Sequence, residues 1–400
     1  MGPVLLHAAR ADALMAASEL DALVATTYQN VYYASGFWSF SQPILRTTQV
    51  YAVLPRGAPE RVAVAFPAAE ADMAAEAPPQ AATLIPFGTF YVERGAASPD
   101  GDGDARLLQL TLDTAPCPSP VAALVAALDA AGVIAGRVGV DETAMAAEVL
   151  EQVRAQRPMI TFVPAASLWR AIRAVKTTEE IARLQRAARI TEDAVEAALQ
   201  AAAAGVTERA MAQVFEQALL AGGARPLFTV IAFGSHAAYP NAQPGRRRLA
   251  PGDLIRFDVG CRYEGYCSDI ARTAVFGVPS PRQVATYQAL LDGEEAALAA
   301  IRAGVSAEAV FEAAVRCVRD NGLSHYRRHH VGHGVGLEIY DEPLLAPGQT
   351  AVLEAGMVLE VETPYYEVGF GGLQVEDTVL VTDDGCRLLT VGDRSLRQLA

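Results

Sequence analysis

Four acidic residues and a run of histidines in the second half of this chain have the types and spacing to do chemistry. In DLIRFDVGCRYEGYCSDIARTAVFG, residues 253–277, Asp258 lies near the end of one strand-like stretch and Asp269 opens the next. Residues flanking such a connection can face each other across an antiparallel ladder. Two carboxylates placed there repel unless a proton or a cation lies between them. Asp is a poor strand former, so each position calls for a reason, and turn capping is the bland one. A second stretch, GMVLEVETPYYEVGFGGLQVEDTVLVT at 356–382, adds Glu362 and Glu376 at two further strand ends. Glu360 shares the face of Glu362 by period-two alternation, so spacing does not separate them as ligands. SHYRRHHVGHGVGLEIYDEP at 324–343 supplies His325, His329, His330 and His333. His329 and His333 are four apart, but their glycine-rich context argues against a metal-binding helix, and glycines beside His333 suit close backbone approach to a metal or substrate. Oxygen ligands with one imidazole suit Mn²⁺, Co²⁺, Fe²⁺ or Zn²⁺. Four carboxylates exceed the charge of one divalent ion, so two ions are the simpler arrangement. A pair roughly 3.5–4 Å apart can bridge a hydroxide and polarise a carbonyl.

The elements that must position these groups follow from the surrounding pattern. TTEEIARLQRAARITEDAVEAALQAAAAG, from Thr177 to Gly205, is predicted as a helix that opens on a Thr177/Glu180 capping box and stops at Gly205. Further helices are expected at 208–221, 281–303 and 307–321, and strands at 228–233, 254–260, 270–276, 357–363 and 373–382. Helices on one side of an antiparallel sheet make this half α+β. The first part alternates: helices at 8–20 and 121–131, strands at 22–27, 49–54, 61–66 and 137–140, hence an α/β domain. RGAASPDGDGD at 94–104 is expected as an exposed loop. The boundary is placed between a first domain, 1–168, and a second, 169–400.

Composition limits the function classes. The 400 residues carry 32 basic and 46 acidic side chains, a net charge of −14, which disfavours nucleic-acid and anionic-membrane partners. With 52% hydrophobic and 20% charged residues the chain has ample core material. No run approaches the roughly 18 apolar residues of a membrane span. The N-terminus lacks a basic n-region, and Leu6 breaks the myristoylation pattern that Gly2 begins. Five scattered cysteines without a CxxC fit reduced thiols, and the expected location is the cytoplasm.

These motifs resemble those of the pita-bread metallopeptidase family, in its prolidase, aminopeptidase P and creatinase branch. NVYYASGF at 30–37 and RAVKTTEEIARLQRAA at 173–188 are similar to that branch's N-terminal domain and its linker with the first catalytic helix. The resemblance implies an α/β N-terminal domain and an α+β pita-bread (creatinase/aminopeptidase-like) C-terminal domain. It implies Asp258, Asp269, His333, Glu362 and Glu376 as ligands of two divalent ions, manganese first among them, and it selects Glu362 over Glu360. It also implies a homodimer acting on a short peptide, an Xaa-Pro dipeptide by default. The groups around the substrate depart from the family. His329 matches a histidine near the substrate, but Asn241 and Tyr340 stand where the family has histidines, Gln374 where it often has arginine, and Glu362-Thr363-Pro364 where it has Glu-Pro. Asn241 cannot exchange a proton at neutral pH and the Tyr340 hydroxyl is ordinarily a weak acid. The expected function is therefore metal-dependent hydrolysis of a C–N bond, with Glu362 relaying a proton and His329, Tyr340 and Asn241 facing the substrate. The alternatives are a hydrolase of a small non-peptide amide on the same fold, and an inactive binding module.

Overall fold

Strand alternation and helix capping account for most of the architecture in the computed structural model, which describes residues 5–45, 47–76, 81–96 and 99–400. Gly2, where the myristoylation pattern begins, and Ala97 and Ser98 of the Asp-rich loop lie outside the described residues. Two compact units divide the chain, Met1–Ile172 and Arg173–Ala400. The division falls inside the helix Ala166–Ala174.

The first unit is built on a mixed six-stranded sheet, in the order Thr83–Phe87, Ala63–Pro67, Tyr51–Pro55, Ala22–Ala25, Gly136–Val140, Ile160–Pro164. The strand Ala22–Ala25 pairs antiparallel with Tyr51–Pro55 and parallel with Gly136–Val140. Pro120–Ala130 follows an Ser119 cap with Pro at its first turn and packs Val121, Leu124 and Leu128 into the sheet's core. The stretch expected as one exposed loop at 94–104 ends instead in a helix, Asp102–Leu108, whose first turn carries Asp102 and Asp104. Acidic side chains there complement the helix N-terminus.

The second unit carries a ten-stranded, largely antiparallel sheet. Thr178–Gln200 opens on the capping box: Glu180 N–H donates to Thr177 Oγ1 at 3.3 Å, and Thr177 N–H donates to Glu180 Oε2 at 2.8 Å. The helix ends at Gln200, five residues before the expected stop, because Ala201–Ala204 turn out of it ahead of Gly205. Odd positions of the strand Leu254–Tyr263 (Ile255, Phe257, Val259 and Cys261) join Leu184-flanking residues Ala187, Ile190 and Val195 of that helix, and Phe215 of Glu208–Ala221, in one core. By alternation, Arg256 and Asp258 point from the opposite face. Strand Val358–Glu362 repeats the arrangement, with Leu359 and Val361 in the core that Pro281–Ala300 and Ala307–Asp320 cover. Glu360 and Glu362 therefore occupy the other face. Cys261 and Cys267 are buried free thiols. Among the described residues no helix is long and apolar enough to cross a membrane.

Candidate metal centre

Three ladders put the acidic groups in line. Asp258 pairs with Ala271, Ala271 with Glu376, and Glu376 with Glu362, all antiparallel. Asp269 precedes the strand Ile270–Phe276 by one residue, and His333 lies opposite Glu360 in the strand Gly332–Gly334. Gly332 and Gly334 serve this packing and not a ligand. A Cβ on Gly332, whose φ is 147°, would stand 2.1 Å from the Glu360 carbonyl oxygen, and one on Gly334 would stand 2.3 Å from that of Glu342. Close backbone approach is thus needed, but toward the neighbouring strands.

Asp269, His333 and Glu376 converge, each with a ligand atom within 4.8 Å of the others, and all three are buried. His333 Nδ1 lies 3.0 Å from the Gly334 carbonyl oxygen, which fixes the proton on Nδ1. That leaves the Nε2 lone pair facing Asp269 Oδ2 at 3.7 Å. Asp269 Oδ1 is buried without a hydrogen-bond partner. Burial, and then the charges of Asp258, Glu360 and Glu362, hold the Asp269 carboxyl well above its ordinary range; burial and Asp269 do the same to Glu376. Burial raises Asp258 to about 6 against the attraction of Arg256, and lowers His333 to about 4. Neutral histidine, clustered carboxyls and an orphaned carboxyl oxygen are the donor set a divalent cation fits.

Glu362 differs from its neighbours. Burial would raise its carboxyl, yet the hydrogen bond from His330, with Nδ1 at 3.0 Å from Oε1, brings it below the ordinary range. Gln374 Nε2 donates to its other oxygen at 3.2 Å. Glu360 is fully buried, neither of its oxygens has a hydrogen-bond partner, and burial pushes it to about 8. Burial thus favours the neutral form of Glu360, and the contact with His330 favours the charged form of Glu362. Glu360→Gln should leave metal affinity nearly unchanged, whereas Glu362→Gln should cost more than the roughly 10–100-fold typical of losing an outer partner. Calorimetric Mn²⁺ titration of both variants checks this, and equal losses would contradict it.

The other sequence-selected residues distribute unevenly. Tyr340 stacks on the His333 ring with centroids 3.8 Å apart, and its hydroxyl lies 3.5 Å from His330 Nε2. Its segment is held by Asp341, which Arg173 and Lys176 engage at 3.1 and 3.6 Å. His329 is exposed and meets His330 edge-on at 4.2 Å. The histidine that touches Glu362 is His330, which the sequence reading passed over: two adjacent histidines in an extended segment point to opposite sides, and nothing in their types says which turns inward. Asn241 is also exposed, its main-chain carbonyl accepts from Gln243 Nε2 at 3.4 Å, and it is not gathered to the carboxylates. A second missed residue is Arg256. Fully buried, it donates to the carbonyls of Ala237, Tyr239 and Pro240, to Asp258 Oδ2 at 3.0 Å and to Gln374 Oε1 at 3.1 Å. Its position two residues before Asp258 put it on the same face, a signal present in the sequence.

A carboxylate–histidine cluster laid across an antiparallel sheet with covering helices places the fold in the pita-bread class of metallopeptidases. The chain belongs to metallopeptidase family M24: residues 182–383 match that family's profile, and residues 8–175 match the creatinase/prolidase N-terminal domain. An uncharacterized peptidase of Staphylococcus haemolyticus is 39% identical over 166 residues, 42% of this chain and 47% of that protein. The match thus spans about half the length of such curated relatives. The crystal structure of the prolidase from Pyrococcus horikoshii superposes with a TM-score of 0.76 at 26% identity, covering 97% of this chain and 99% of that one. A dipeptidase structure from the same organism gives 0.76 at 28% identity, covering 98% and 99%.

Proposed function

We propose that the protein is a dinuclear metal-dependent hydrolase of a C–N bond, acting on Xaa-Pro dipeptides or short Xaa-Pro peptides. The convergence of Asp269, His333 and Glu376 carries this reading. In it these three, with Asp258 and Glu362, hold two divalent ions, Mn²⁺ by preference. Bound ions supply Lewis acidity and activated water at the scissile carbonyl. The chain's own groups do the rest. His333 presents Nε2 because its Nδ1 proton is committed to Gly334. Glu362 is the charged glutamate and is hydrogen-bonded to His330, so a proton can pass between Oε1 and Nδ1. The Tyr340 hydroxyl, which burial and the neighbouring carboxylates keep protonated, is a donor beside that pair. His329 and Asn241, both exposed, are assigned contacts with the outer part of a substrate. A cytoplasmic homodimer is part of the proposal, and the five unpaired cysteines agree with a reducing compartment.

Elemental analysis of the purified protein, paired with Mn²⁺-dependent cleavage of Ala-Pro and Gly-Pro, tests the reading. Absence of metal under every loading condition overturns it. The exposure of Asn241 and the presence of Tyr340 and Gln374 favour a second reading, hydrolysis of a small non-peptide amide. Metal uptake with no turnover across an Xaa-Pro panel selects that one.

A further inference from the structure

Glu376 stands where the ten-stranded sheet is thinly joined. Its strand, Glu376–Val381, pairs with Val358–Glu362 over five positions but with Ile270–Phe276 over one, Ala271 opposite Glu376. That junction brings Glu362 and Glu376 up to Asp258 and Asp269, so the spacing of the cluster depends on it. Side chains take over where the ladder stops. Thr273 Oγ1 donates to the Gln374 carbonyl and accepts from the Gln374 N–H, both at 2.9 Å. Arg272 reaches across as well: one nitrogen donates to the Glu376 carbonyl at 2.6 Å and the other to Asp377 Oδ1 at 2.6 Å.

Asp377 belongs to a buried group outside the metal cluster. By alternation it points away from Glu376, and it is buried together with Glu294 and Thr390. Its remaining partners come from the segment 390–399. Thr390 Oγ1 donates to Asp377 Oδ1 at 2.6 Å, and Arg394 Nε meets Asp377 Oδ2 at 2.8 Å. Arg394 also donates to Glu294 Oε2 at 2.7 Å, while its own carbonyl accepts from the Tyr287 hydroxyl at 2.7 Å. The rest of the segment is tied down separately. Glu192 Oε1 accepts from the N–H groups of Val391 and Gly392 at 2.9 and 2.6 Å, and Arg397–Leu399 pairs with Ile270–Phe276.

We propose that the segment 390–399 is a clasp for the metal centre, in which Thr390 and Arg394, acting through Asp377 and Arg272, hold Glu376 in its binding position. These are positioning residues, since their contacts reach Asp377 and the main chain of Glu376 and not the ligand oxygens. Docking of the segment and cation binding then favour each other by the same factor, because coupling between two equilibria is reciprocal. The inference rests on the reading of the cluster as a metal centre.

Calorimetric Mn²⁺ titration and amide hydrogen exchange of the full chain test it. Arg394→Gln should weaken Mn²⁺ binding about 10–100-fold, the range for losing a partner one step behind a ligand, and Arg394→Lys should recover part of that. Arg397→Gln is the control: it removes a contact of the same segment with Glu196 but none with Asp377, and should leave the affinity unchanged. Saturating Mn²⁺ should slow exchange at the Val391 and Gly392 amides by the factor that Arg394→Gln costs in affinity, and Arg394→Gln should abolish that slowing. Equal Mn²⁺ affinity in the parent and Arg394→Gln, or exchange at those amides indifferent to Mn²⁺, overturns the clasp. If Arg394→Gln does not fold, exchange in the unsubstituted protein decides alone. A parent that takes up no Mn²⁺ overturns the metal-centre reading and the clasp together, whereas normal uptake with unchanged exchange overturns the clasp only.

Discussion

Asp269→Asn and Glu376→Gln should each lose metal and activity together while making the metal-free protein more stable. Both carboxyls lie in the convergent trio, and the loss of several kcal/mol of metal-derived stabilisation corresponds to a fall in kcat/KM on the order of 10³-fold or more. The stability gain comes from the same geometry. In the metal-free fold each side chain is a buried carboxyl pushed upward first by burial and then by its acidic neighbours, so its ionisation near neutral pH opposes folding. An amide of the same shape has no charge to bury. Tm of chelated Asp269→Asn at pH 8 should exceed that of the chelated parent, alongside absent Mn²⁺ uptake. A variant that loses activity, keeps its metal and melts lower would show that Asp269 is only a packing residue. Groups that serve a function at a cost in stability behave in this way.

The second large effect is the pH dependence of the metal-free protein. Asp258 is raised from its ordinary 3.8 to about 6 and Glu360 from 4.5 to about 8, and Asp269 and Glu376 are raised well above their ordinary range. A carboxyl whose folded value is raised binds its proton more tightly in the native state. Its stabilising contribution is full below the unfolded value and is lost as pH rises through the folded one. Glu362, Asp341 and Asp377 are shifted the other way, so their contributions are already full above the ordinary carboxyl range. Between pH 5 and 8 the raised set, together with the buried Glu180 and Glu294, loses its contribution as pH rises. His333 opposes this below pH 6.5, since its lowered value makes its protonation oppose folding. Tm of chelated protein should therefore fall over that interval, most steeply above pH 6.5 where the histidine contribution is complete. Adding Mn²⁺ at 100 times its Kd at pH 8 should return about 2.7 kcal/mol, a rise of roughly 5–10 °C for a unit of this size. Differential scanning calorimetry at several pH values, with and without chelator, measures both. A flat profile without metal would refute the claim that these carboxyls face one another unneutralised.

Much of the centre was legible because acidic residues in strands are expensive. Asp269, Glu362 and Glu376 stand at or beside strand ends and Asp258 in the middle of Leu254–Tyr263, each interrupting an apolar stretch whose alternation gives it a definite face. What alternation cannot do is choose between two residues on one face. The family resemblance selects Glu362, and in the structure the two differ in their partners, His330 and Gln374 meeting Glu362. His329 and His330 pose the converse difficulty, since neighbours in extended chain point apart and their order depends on how the segment enters the sheet. Asn241 was selected by alignment to a family motif, and its exposure follows from the turn that Arg256 ties down by the carbonyls of Tyr239 and Pro240. In the first unit, the strands Thr83–Phe87 and Ile160–Pro164 escaped the sequence reading because TLIPF and ITFVP are short and contain proline.

The alignment of Asp258, Ala271, Glu376 and Glu362 across adjoining strands makes the centre a test of sheet assembly. A slip of one residue in any of these ladders would turn a carboxylate to the helix-covered face, where it would have no cation to meet and would stand among apolar side chains. A misassembled sheet would thus be both poorly packed and unable to gather the cluster, while a correct one would gain the binding energy of any ion it holds. A cation held by this cluster would thus favour the correct strand pairing, and metal supplied during refolding should raise the yield of correctly paired chains.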